Sequence, residues 1–136
     1  MTWHTGRLID HVHLRARNFE AMKRFYEAVL TALEIPVSAS GDGWLQIDEL
    51  YIDSVDPGSP PSSVHLAFQA RDHEMVQAFY RVALAAGGTD NGGPGERHYH
   101  PGYYAAFVLD PDGNNIEAVF HGPSKRSAAS VEIEPG

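Results

Sequence analysis

The chain contains no cysteine, which excludes disulfides, thiolate metal ligands and cysteine nucleophiles. Any metal must therefore be held by nitrogen and oxygen. Positive charge is also scarce: 10 Lys and Arg stand against 18 Asp and Glu, a formal net charge of -8. Sequence-independent binding to nucleic acid or anionic membranes depends on Lys and Arg neutralising phosphates, so neither partner is expected, whereas a cationic ligand is compatible. Long hydrophobic runs are missing too. No stretch is long enough to span a bilayer, and the opening MTWHTGRLIDH has no apolar segment of signal-peptide length, so a cytoplasmic location is expected. Against these absences, 136 residues with 43% hydrophobic and 21% charged side chains suffice for one domain that buries its core without covalent staples.

The most legible stretch is residues 103–121, YYAAFVLDPDGNNIEAVFH, which reads as two strands joined by a tight turn. Asp110-Pro111-Asp112-Gly113 has Asp first, Pro second with its φ already set, and Gly fourth, the type I pattern. After the turn, Ile116, Ala118 and Phe120 alternate with Glu117, Val119 and His121, so a period of two puts the Glu117 carboxylate opposite its apolar neighbours. A lone Glu on a strand is commonly just solvated; the rest of the chain gives this one a context.

Residues 8–16, LIDHVHLRA, alternate as a strand with Val12 and Leu14 on one face and His11, His13 and Arg15 on the other. Asn18 is placed to cap a helix with Glu20 in its first turn, and Phe19, Met22, Phe25, Tyr26, Val29, Leu30 and Leu33 recur at helical spacing before Pro36 ends it. Residues 36–56 hold a Gly41-Asp42-Gly43 turn and short apolar runs around Trp44, Leu45, Ile47, Leu50 and Ile52, read as strands. Residues 57–63, PGSPPSS, are turn chemistry and serve as a linker. Beyond it, residues 64–68 form a strand carrying His65, Asp72 caps a second helix bearing Met75, Val76, Phe79, Val82 and Ala86, and Gly87-Gly88 closes it. A glycine-rich loop with His98, Tyr99 and His100 leads to the closing hairpin, in which Tyr103 and Tyr104 read as packing residues. Residues 122–136 lack periodicity and are expected to be a mobile tail.

Residue numbers 54 apart coincide: His11 with His65, Arg17 with Arg71, Glu20 with Glu74, Phe25 with Phe79, Tyr26 with Tyr80 and Leu30 with Leu84. This register without gaps marks an internal duplication of a strand-helix-strands unit. The chain is thus expected to be a single α+β domain over residues 1–121, with one module at about 7–56, a linker at about 57–63 and a second module at about 64–121. If the modules pack about a pseudo-twofold, their first strands occupy symmetric places, and His11 and His65 face each other across one sheet. With Glu117 they make a two-histidine, one-carboxylate set for a divalent metal with coordination positions left open for chemistry.

These residues also carry a resemblance. The IDHVHL opening followed by RFY, the second VHLAF followed by AFY, and the DPDGNNIEAV closure resemble, in this order and spacing, the vicinal oxygen chelate superfamily of glyoxalases, bleomycin-resistance proteins and dioxygenases. The resemblance spans residues 7–121. It implies two tandem βαβββ modules forming an open U-shaped mixed sheet around a cleft, in which a metal chelates vicinal oxygens of a small molecule. It places the family's metal ligands on His11, His65 and Glu117. A fourth position, on the last strand of the first unit, falls near Tyr51, with Glu49 and Asp53 as alternatives.

Tyr51 departs from the Glu of glyoxalase I, which needs a carboxylate base to move a proton between adjacent carbons, so that activity is not expected. The ligand set resembles instead the Fe(II) site of extradiol dioxygenases and the Mn(II) site of fosfomycin-resistance transferases. The expectation is a metal-dependent enzyme, a lyase or dioxygenase, using Fe, Mn, Zn or Ni on a small-molecule substrate. His13, Tyr51 and His100 are candidate catalytic residues, and His121 shares the Glu117 face. The alternative is a metal-free protein of the bleomycin-resistance kind that sequesters a cationic compound. By the same resemblance a homodimer is expected, with clefts that two chains can share.

Overall fold

The computed structural model describes residues 3–6 and 8–136, so the expected start of the first module, residue 7, lies outside the described residues. In chain order the elements are β1 (Trp3–Thr5), β2 (Val12–Ala16), α1 (Phe19–Ala32), β3 (Ala39–Gly41), β4 (Trp44–Ile47), β5 (Leu50–Ser54), β6 (His65–Gln69), α2 (His73–Ala85), β7 (Thr89–Asp90), β8 (Gly95–Glu96), β9 (Tyr104–Leu109), β10 (Asn115–Phe120) and β11 (Val131–Ile133). The duplication is plain in this order. The first unit forms the sheet β2-β5-β4-β3, and the second forms β6-β10-β9-β7 with β8 also on β9. In each, the first strand runs parallel to the last and all other pairs are antiparallel. The fold is α+β with two mixed, unclosed sheets. In the second unit one strand is broken into β7 and β8, and Gly92 bridges the gap by accepting from the Phe107 N–H at 2.8 Å.

Local chemistry sets the helix ends. Asn18 Oδ1 accepts from Ala21 N–H at 3.2 Å to open α1, and Asp72 Oδ1 accepts from Met75 N–H at 2.8 Å to open α2, each satisfying a donor the helix cannot pair itself. At the far end of α2, Gly87 adopts φ +100° and the Gly88 N–H returns to the Ala83 carbonyl at 2.8 Å, a left-handed stop that glycine adopts without strain. The stripe of Phe19, Met22, Phe25, Tyr26, Val29 and Leu30 on α1 is buried, as are Met75, Val76, Phe79 and Ala83 on α2.

Both stripes and the apolar faces of both sheets belong to one core. The helices pack on each other, and α1 is tied to the second unit's turn. Tyr26, fully buried, donates its hydroxyl to Asp110 Oδ2 at 2.6 Å. Asp110 also accepts from the Asp112 and Asn114 N–H groups, and the Gly113 N–H closes the turn on its carbonyl at 2.9 Å. The Asp-Pro-Asp-Gly turn is therefore both a hairpin corner and the socket for a helix of the other module. The linker is held as well: the Ser62 N–H donates to the Arg15 carbonyl, and Ser62 Oγ accepts from the Arg15 N–H.

Two features differ from the sequence reading. The strand expected over residues 8–16 starts at Val12, because its ladder partner β5 begins only after the Asp48-Glu49 turn; the first rung is the Val12 N–H to the Glu49 carbonyl. The first strands of the two units are not neighbours: β2 and β6 each end their own sheet. The segment 122–136 carries one short strand, β11, whose backbone pairs antiparallel with β1.

Candidate metal centre

Strand alternation gives each sheet one apolar face and one polar face. On the second sheet the polar face carries His65 on β6, Glu117 on β10 and Phe107 on β9, with Glu117 laterally opposite both Ala67 and Phe107. Glu117 is buried, with 2% exposure. Its Oε1 lies 2.8 Å from His65 Nε2, and its Oε2 accepts from the Tyr103 hydroxyl. A carboxylate accepts only, so His65 carries its proton on Nε2. No Lys or Arg among the described residues forms an ion pair with Glu117. A buried carboxylate served by an imidazole and a phenol, with no Lys or Arg among the described residues paired to it, has the donor chemistry that suits a divalent ion.

Tyr103 was legible only as packing, yet among the described residues it is one of two whose side chains hydrogen-bond the Glu117 carboxylate. The signal lay in the hairpin register: the turn sets Leu109 opposite Asn115 and Phe107 opposite Glu117. Continuing the alternation outward puts Tyr103 on the Glu117 face, beside His121. Its ring is gripped edge-on by Tyr99, His100 and His121, at centroid distances of 4.9, 5.3 and 5.1 Å. Burial, and then the bond to Glu117, push the Tyr103 phenol up to about 12.

His100 thus reaches the site through Tyr103. Its Nδ1 donates to the Pro101 carbonyl at 2.8 Å, which leaves Nε2 bare to accept from His121 Nδ1 at 2.9 Å. Gly102 lets this loop approach: with φ +88° it sits where a Cβ would come within 3.1 Å of the His121 carbonyl.

The first sheet repeats the motif one step along. On its polar face His13 Nε2 lies 2.7 Å from Asp53 Oδ1, and Tyr51 is the lateral partner of His13. Residue 13 corresponds to residue 67 by the duplication, and Ala67 is the lateral partner of Glu117. Tyr51 therefore occupies the register position of Glu117. The imidazole-carboxylate pair of this module is displaced by two residues on both strands. Tyr51 packs between the His13 ring, edge-on at 5.0 Å, and the Trp44 indole, stacked at 6.1 Å. Arg15 brackets Asp53 from beyond, its Nε at 3.4 Å. Glu49 sits in the turn before β5, where its carbonyl anchors β2.

His11 stands just ahead of β2, 64% exposed, with Nδ1 donating to Asp10 Oδ1 at 2.7 Å. That bond fixes the tautomer and leaves Nε2 as a free lone pair, the arrangement typical of a histidine ligand. The structure brings His65 and Glu117 together but does not bring His11 to them: among the described residues no group of three His, Asp or Glu could hold one ion.

An open pair of duplicated βαβββ units, with a His-carboxylate pair on each polar face, defines a class of protein, and comparison with known proteins gives the same answer. A family model described as Glyoxalase/Bleomycin resistance protein/Dioxygenase superfamily matches residues 8–118, and the chain belongs to that family. A glyoxalase/bleomycin resistance protein from Albidiferax ferrireducens shares 30% identity over 83% of this chain and 98% of its own, with a TM-score of 0.72. A glyoxalase-related enzyme from Fulvimarina pelagi, at 20% identity and TM-score 0.64, covers 90% of this chain and 99% of its own. The oxidase ChaP-H2, at 20% identity and TM-score 0.58, covers 93% of this chain and 98% of its own; these last two share the fold. No curated protein matches.

Proposed function

We propose that the chain is a divalent-metal-dependent enzyme acting on a small molecule with two adjacent oxygens, and that its metal site is shared between two copies. The observation that carries this reading is Glu117, a buried carboxylate paired to His65 with no Lys or Arg among the described residues paired to it. His65 and Glu117 of one copy, with His11 of a second, would hold Fe, Mn, Zn or Ni. When bound, such an ion supplies Lewis-acid polarisation of substrate oxygens or, as Fe(II), oxygen activation. What supports a second copy is the exposed approach to His11: Leu8 is 90% and Ile9 46% exposed, apolar surface that a partner would bury.

The chain's own residues define the rest. For His65 Nε2 to take an ion, the proton it now shares with Glu117 would have to move, leaving the ring's proton on Nδ1. His13 keeps its proton on Nε2, toward Asp53, and so presents a bare Nδ1 that can accept a proton from substrate. Tyr51 and Trp44 wall that side with stacked rings.

The test is complementation. H11A and H65A proteins are each expected to take up no metal. Unfolded together and refolded as a mixture, they are expected to regain uptake, because a mixed dimer joins the intact His11 of one copy to the intact His65 and Glu117 of the other. A mixture as inert as its components would refute the shared site, and full uptake by H65A alone would refute the metal assignment.

A further inference from the structure

Glu117 has two oxygens and the structure gives them different partners. Oε1 faces His65 Nε2 at 2.8 Å, whereas Oε2 is taken by the Tyr103 hydroxyl. Resting on the metal-centre reading above, we propose that Tyr103 is a positioning residue for Glu117: its hydroxyl occupies Oε2, so that the carboxylate offers a cation only Oε1, the oxygen beside His65.

Three observations make this arrangement built and not incidental. The phenol ring is fixed on three sides by Tyr99, His100 and His121, and rings gripped in this way hold their hydroxyl to one place. The backbone is fixed too: the Arg97 N–H donates to the Tyr103 carbonyl at 2.9 Å, and the Tyr103 N–H to the His100 carbonyl at 3.2 Å. Gly102 and Gly122, both at positive φ, let the loop and the end of β10 meet backbone to backbone, the Cβ position of Gly122 lying 3.5 Å from Gly102 Cα. Partners that orient a ligating carboxylate typically change metal affinity by about 10- to 100-fold when removed. The neighbouring Tyr104 supplies the control, since its hydroxyl accepts from Gln77 Nε2 at 2.9 Å and not from anything at the site.

The experiment titrates Mn(II) and Co(II) into full-length wild type, Y103F, Y104F and E117Q, reading affinity by competition with a chromogenic chelator and coordination by the Co(II) visible spectrum. Circular dichroism and melting of the metal-free proteins report the fold. The expected result is loss of binding in E117Q, affinity weakened about tenfold or more in Y103F with an altered Co(II) spectrum, and wild-type behaviour in Y104F. Y103F at wild-type affinity and spectrum beside an inert E117Q would overturn the role of Tyr103 alone, as would equal losses in Y103F and Y104F. E117Q at wild-type affinity, or a wild type that binds neither ion, would overturn the metal reading and the role of Tyr103 with it.

Discussion

Tyr26 places its hydroxyl 2.6 Å from Asp110 Oδ2, the side chain at the first position of the turn that closes the second module. Burial first, and then the neighbouring Asp110 carboxylate, hold this phenol well above its usual range. The sign of the consequence follows. In the unfolded chain Tyr loses its proton near pH 10, whereas the folded chain keeps it to higher pH. Above about pH 10 the unfolded state therefore binds fewer protons, and stability declines as pH rises. Tyr26→Phe is expected to cost about 1.5–3 kcal/mol at neutral pH, the range for a hydrogen bond to a charged group, measured by urea denaturation. Its stability should then fall less than wild type between pH 9 and 11. An equal decline in both would show that Tyr26 does not carry that slope.

At the scale of elements, the helix ends make the sharpest predictions, because each rests on one contact. Asp72→Ala removes the acceptor of the Met75 N–H and is expected to cost about 1 kcal/mol, seen as a lower urea midpoint at unchanged m-value. Gly88 stands where the end of α2 meets α1 and β9: an added Cβ would lie 2.8 Å from the Ala83 carbonyl, 2.9 Å from Phe25 Cε2 and 3.2 Å from the Leu109 carbonyl. Two of these neighbours are backbone and cannot swing away, so Gly88→Ala is expected to cost about 1–3 kcal/mol, read as a depressed melting temperature. The β strands show a different logic. The registers of β5 on β2 and of β10 on β6 put Tyr51 and Glu117 in equivalent places. One duplicated scaffold therefore carries a ligand-type side chain in one unit and an aromatic wall in the other.

For the whole molecule, the decisive feature is that β2 and β6 end separate sheets while α1 and α2 pack together in a common core. The proposed site, drawing His11 from one copy and His65 with Glu117 from another, would tie metal affinity to assembly. Dilution below the dimer dissociation constant is then expected to release metal, and loading to raise the melting temperature in a concentration-dependent way. Sedimentation velocity with and without Mn(II) checks both, and a monomer that binds metal at every concentration would contradict them. The excess of negative charge noted in the composition acts at this scale as well, favouring cations near the polar faces.

Much of this was legible without coordinates. Asn18, Asp72, Gly87-Gly88 and the Asp110-Gly113 turn are local devices whose chemistry lies in a few adjacent residues, and the 54-residue repeat is visible in the letters themselves. Hence both helices, the closing hairpin and the duplication could be read directly, and the register of the hairpin carried Glu117 to a polar face. Residues far apart in the chain were another matter. Periodicity says which face a side chain takes but not which face of another sheet it meets, so the partnership of His13 with Asp53, the bond from Tyr103 to Glu117, and the separation of His11 from both were decided only by tertiary packing. The physical reason is that a strand's face is set by its own period of two, whereas the place of that strand in a sheet depends on which apolar surfaces bury each other, and here the two helices bury theirs together.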